Sequence, residues 1–166
     1  MDPRTYRLSK HFVLSDFLGN SSVYSRGLPN PFEEDGGAEF KLENARVLCE
    51  EGLEKLLEEF GPLSVSYGYI SPELSHEIVK YQDPAIPSHH RWDLGAAADV
   101  CVHRWIAGEF KTAFDLALPP SVIGSPIALA HAIEYMGIPY SRLITYSESP
   151  YLCVALSARE YIKNQP

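Results

Sequence analysis

The chain has 166 residues, a formal net charge of −8 and 45% hydrophobic residues. That is enough for one domain, residues 1–166, with a sizeable core. The negative balance argues against the general basic footprint with which nucleic-acid binders release phosphate counterions, so no nucleic-acid partner is expected, although a net sum does not describe a local groove.

Three cysteines, Cys49, Cys101 and Cys153, are widely spaced and odd in number. They form neither a disulfide framework nor a CxxC knuckle, and read as reduced residues of a cytoplasmic protein. The opening MDPRTYRLSKHF has no apolar secretory segment, and no run reaches membrane-spanning length. The expectation is a cytoplasmic chain with no membrane span.

In chain order, LSKHFVLSDF (8–17) places Phe12, Leu14 and Phe17 in an apolar pattern, with Ser15-Asp16 as a helix-start signal. Residues 18–40 are rich in glycine, proline and polar side chains and predict a long surface loop. LENARVLCEEGLEKLLEEF (42–60) has helical spacing of apolar residues opposite glutamates, stopped by Gly61-Pro62. LSVSYGYI (63–70) alternates as a half-buried strand, and SPELSHEIVKY (71–81) opens as a helix does.

GAAADVCVH (95–103) predicts a buried strand. Residues 106–118 and 124–136 predict helices parted by Pro119-Pro120, and LITY (143–146) and YLCVALS (151–157) predict two closing strands. Helices first, then mainly antiparallel strands, make an α+β plan: a small antiparallel sheet with helices packed on it.

The stretch PSHHRWDLGAAADV (87–100) carries the most chemistry. A catalytic zinc takes three protein ligands and leaves a position open. A histidine leading a turn and an aspartate on the next strand can meet at ligand distance. The same residues also suit a solvated turn and a hydrogen-bonded structural aspartate. His103 shares the strand parity of Asp99, and His131 and Glu134 stand at helical i, i+3 spacing, although solvated positions suit all three. Trp92, Trp105, Tyr67 and Tyr69 are candidates either for stacking on a ligand or for the core.

Ser88-x-His90 and Gly95-x-Ala97-x-Asp99 resemble the two halves of the SxHxxGxAxD signature of zinc D-Ala-D-Ala carboxypeptidases and related peptidoglycan peptidases of the hedgehog/DD-peptidase fold. LSKHFVLSDF resembles the LSxHFxLSEF opening of the phage and bacterial branch. GPLSVSYGYISPEL resembles its PxxITSGYRSPEL segment, and IPYSRLITYSESPYLCVALS its closing strands. The resemblance spans nearly the whole chain. It implies a hedgehog/DD-peptidase-like fold, a zinc cofactor, and a metallopeptidase acting on cell-wall peptides or small amino-acid-like substrates. With no apolar secretory segment, such an enzyme fits either a phage-encoded protein released at lysis or a cytoplasmic dipeptidase.

Carried over residue by residue, it implies His90, Asp99 and Cys153 as metal ligands, with His89 an alternative to His90. Glu148 would be the catalytic base. Ser88, and the aromatic residues Tyr69 and Trp92 read from their type alone, are the candidate substrate contacts. Several positions depart from the pattern. Four residues, Arg91 to Leu94, separate His90 from Gly95, where the signature has two. The carboxylate-binding arginine falls on Ile70, the third ligand histidine on Cys153, and the in-register glutamate on Tyr146. Three readings follow: a zinc hydrolase with a His/Asp/Cys site, a degenerate non-catalytic member serving as a phage structural or host-interaction protein, or a scaffold reused for another reaction.

Overall fold

The computed structural model describes residues 1–19, 27–32, 37–79, 89–93, 95–109, 123–146 and 149–157. The longest helical run joins α1 (Ala38–Leu48), a π turn (Cys49–Leu53) and α2 (Glu54–Phe60). Leu42, Ala45, Leu48, Cys49, Leu53, Leu56 and Phe60 are its buried stripe. The run begins at Ala38, so the end of the expected 18–40 loop is helical. It ends at Gly61, whose φ of 80° an L side chain rarely adopts.

Before it, Leu14–Phe17 is a 3₁₀ turn closed by Asp16, whose carboxylate accepts the Val13 N–H at 2.8 Å. After it come β1 (Leu63–Tyr67), α3 (Pro72–Val79) and a 3₁₀ turn at His89–Arg91. Next are β2 (Gly95–Val102), α4 (His103–Ile106), α5 (Pro126–Tyr135), β3 (Arg142–Thr145) and β4 (Leu152–Ser157). Ser125 caps α5, its hydroxyl accepting from Ala128 N–H, and Pro126 supplies a preset φ. His103 opens α4 rather than extending the strand, and most of the helix expected over 106–118 lies outside the described residues.

The strands make one four-stranded antiparallel sheet in the order β1-β2-β4-β3, so the fold is mixed α+β. The helix α1 packs on β2 and β4. Ala96, Ala98, Val100 and Val102 of β2, with Leu152, Val154 and Leu156 of β4, face that main core. The other face carries Ala97, Cys153 and Ala155 with Ile144, and every residue of β2 is buried. Among the described residues, no helix is long and apolar enough to cross a membrane.

Candidate metal centre

Asp99 lies on the sheet face turned away from α1, and antiparallel register fixes its neighbours. Cys153 of β4 stands directly opposite Asp99, and Ile144 of β3 opposite Cys153. On the other side, two steps along β1, from Val65 to Tyr67, match one along β2, from Val100 to Asp99. This bulge brings Tyr67 opposite Asp99; regular pairing would have turned it onto the core face.

His90 arrives from the 3₁₀ turn and is held by the segment after β1. The Ile70 N–H donates to the His90 carbonyl at 2.9 Å, and His90 Nδ1 lies 2.7 Å from the Gly68 carbonyl oxygen. A carbonyl only accepts, so Nδ1 carries the proton and Nε2 is directed at the sheet. Nε2 lies 3.4 Å from Asp99 Oδ1 and 3.9 Å from Cys153 Sγ. One donor atom from each of the three residues fits within 4.8 Å of the others.

Zinc–nitrogen and zinc–oxygen bonds of about 2.05 Å and zinc–sulfur bonds of about 2.3 Å fix the spacing of tetrahedral vertices. They place nitrogen and oxygen about 3.4 Å apart, and nitrogen and sulfur about 3.6 Å apart. The cluster has the first spacing and slightly exceeds the second, and imidazole, carboxylate and thiolate are all zinc donors. In donor type and in the nitrogen–oxygen spacing the set fits the metal.

The same residues also satisfy one another. Burial lowers the His90 pKa, but the hydrogen bonds and charges of Asp99 and Cys153 outweigh it and push the ring up to about 10. With no cation bound, His90 is therefore an imidazolium at neutral pH, donating to Gly68 and Asp99. Tyr146 completes the chain, its hydroxyl donating to Asp99 Oδ1 at 3.2 Å. Burial first, then the neighbouring Cys153 and Asp99, raise the Tyr146 pKa and keep it a phenol.

The turn from His90 to β2 is strained and heavily pinned. Trp92 has φ 62°, a conformation costly for a bulky side chain. Its indole N–H donates to Ala97 O at 3.3 Å, and its carbonyl accepts the Asn44 amide of α1 at 2.8 Å. Beside it, the Lys41 ammonium lies 3.7 Å from Asp93. Trp92 packs edge-on against Phe17 and Tyr69, with Phe32 against both Tyr69 and Trp92.

Of the two readings of Tyr69 and Trp92, substrate contact or core, their places are in the core: both are fully buried and form the aromatic support beneath the turn. Trp92 turns its ring inward on the reversed backbone at that residue. Ser88 and Glu148, the expected substrate contact and base, lie outside the described residues. His90 is the member of the His89-His90 pair whose ring joins Asp99 and Cys153. His103 instead meets Ser64 Oγ at 3.1 Å on the surface, and His131 and Glu134 form an exposed pair at 3.7 Å. Ile70 is buried and supplies its backbone N–H to the His90 carbonyl.

Sequence reasoning missed Gly68 as the orienter of His90, Asn44 as the anchor of Trp92 and the Tyr146 bond to Asp99. For Asn44, a signal existed in an amide on the apolar face of a helix. Comparisons with protein-family models, with curated proteins and with solved structures find no match to this chain.

Proposed function

We propose that the chain is a zinc-dependent peptidase-like hydrolase of hedgehog/DD-peptidase type, acting on peptidoglycan-type or other D-amino-acid-containing peptides. The observation that carries this reading is the convergence of His90, Asp99 and Cys153 donor atoms within 4.8 Å. These are the positions at which the resemblance put the ligands. Zinc held there supplies Lewis-acid polarisation of a peptide carbonyl. His90 is presented by Gly68 in the tautomer that offers Nε2, and Asp99 contributes a carboxylate braced by Tyr146. Cys153 contributes a thiolate, a strong donor that moderates Lewis acidity. Glu148, two residues beyond Tyr146, is the carboxylate assigned as general base, and Ser88 the residue assigned to the peptide.

The experiment is elemental analysis of the purified chain together with release of D-alanine from a stem peptide ending in D-Ala-D-Ala. The reading expects one zinc per chain, lost in His90→Ala and Asp99→Ala, and hydrolysis lost in Glu148→Gln with zinc retained. A second reading, a non-catalytic member acting as a phage structural or host-interaction protein, is favoured by one observation. Tyr146, in the register of the family's glutamate, completes a hydrogen-bonded His90-Asp99-Tyr146 chain that is satisfied without metal. A well-folded protein free of zinc supports that second reading.

A further inference from the structure

Tyr146 follows β3 and is 39% exposed, yet its hydroxyl turns inward onto the cluster. It lies 3.2 Å from Asp99 Oδ1, the same oxygen that sits 3.4 Å from His90 Nε2. Asp99 is a buried carboxylate on a strand whose adjacent residues, Ala98 and Val100, are apolar. His90 and Tyr146 both reach its carboxylate.

A carboxylate can bind a cation through one oxygen or both, and it turns about its terminal torsion between those modes. A hydroxyl donating to one oxygen fixes the carboxylate plane and fills one of its lone-pair sites. We propose that Tyr146 is a positioning residue of the metal centre, its hydroxyl holding Asp99 in a single-oxygen ligand geometry. The proposal rests on the metal reading of the site. A phenylalanine here keeps the ring packing and removes only the donor. A glutamate would bring a second carboxylate against Asp99, with the repulsion of like charges instead of a neutral donor. The phenol is thus suited to bracing a ligand, and a proton-abstracting role falls to another residue.

The test uses the full chain stripped of metal and titrated with zinc against a chromophoric chelator. Tyr146→Phe should weaken zinc binding about 10- to 100-fold, the usual effect of losing a hydrogen bond to a ligand. Tyr140→Phe loses a surface hydroxyl bonded to Glu134 and should leave zinc binding unchanged. Cobalt(II) in place of zinc should keep its thiolate charge-transfer band in Tyr146→Phe while its ligand-field bands shift. In an Asp99→Asn background, Tyr146→Phe should have no further effect, because the phenol acts through the carboxylate. Additive effects in that cycle, or equal zinc affinity in wild type and Tyr146→Phe, overturn the proposal and leave the metal site standing. A wild-type chain that takes up no zinc overturns both.

Discussion

Replacing Gly68 with alanine probes how tightly the packing beneath the sheet is tied to the histidine above it. A Cβ at Gly68 would meet Phe17 Cβ at 2.5 Å, and its Cα and carbonyl oxygen each at 2.7 Å. Ordinary carbon contacts are about 3.5–4.0 Å, so roughly 1 Å of separation must be found. Two of those atoms are backbone, and the Phe17 ring is locked between Phe12 and Trp92. Side-chain rotation cannot relieve the clash.

Either the 3₁₀ turn at Leu14–Phe17 or the Gly68 segment must shift, and the Tyr69 N–H to Phe17 carbonyl bond of 2.8 Å goes with it. Overpacking costs about 1–3 kcal/mol and the lost hydrogen bond about 1 kcal/mol, so the expected destabilisation is about 2–4 kcal/mol. The Gly68 carbonyl also orients His90, so zinc affinity should fall about 10- to 100-fold. Urea unfolding of the stripped protein reads the first effect, and zinc competition the second. A wild-type unfolding midpoint would refute the packing argument. A destabilised variant with unchanged zinc affinity would refute the link between Gly68 and the site.

Three further outcomes are expected. Cys153 should resist alkylation with zinc bound and react after chelation. Cys49, raised well above the ordinary thiol range by burial, and Cys101, pushed up to about 11 by burial, should stay unlabelled throughout. Equal labelling of Cys153 in both conditions, read by mass spectrometry, would remove it from the ligand set. Because the metal-free His90 pKa is raised to about 10, zinc binding at pH 7.5 should release at least one proton. Calorimetry in buffers of different ionisation enthalpy measures it, and no release would contradict the assignment. Glu54 accepts from Ser9 Oγ at 2.6 Å and from the His11 N–H at 2.7 Å, and lies 2.7 Å from His11 Nδ1. Burial pushes its pKa up, but these bonds outweigh that and hold it below the usual 4.5. Its stabilisation is thus present above about pH 4.5 and lost as pH falls through the depressed value. Glu54→Gln should cost about 1–2 kcal/mol at pH 7 and flatten this acid limb in denaturant titrations. An unchanged acid limb would contradict it.

The strands were legible because GAAADVCVH and YLCVALS are apolar runs of strand length, and α1 and α2 because their apolar residues recur at helical spacing. The pairing of Asp99 with Cys153 was not written locally. It depends on the register of two strands distant in sequence, and only the resemblance to a known signature linked them beforehand. Tyr69 and Trp92 show the converse limit. Composition identifies aromatic residues near a site, but backbone conformation, such as the positive φ at Trp92, decides which way they face. The π turn was hidden because Cys49, Gly52 and Leu53 fit an ordinary helical stripe.

That wide turn makes residues 38–60 two helices in succession, out of phase with each other. Each residue advances an α-helix by about 100°, so one extra residue in a turn resets the azimuth of everything after it. Before the turn, Asn44 is aimed at the Trp92 carbonyl; after it, Glu54 is aimed at Ser9 and His11. Closing the π turn by deleting a residue would keep every hydrophobic side chain in the sequence yet swing Glu54, Leu56 and Phe60 away from their partners. The helix works as a vernier, with one scale ruled to the strand that carries Asp99 and the other to the N-terminal segment, and the offset between them lets both be read at once.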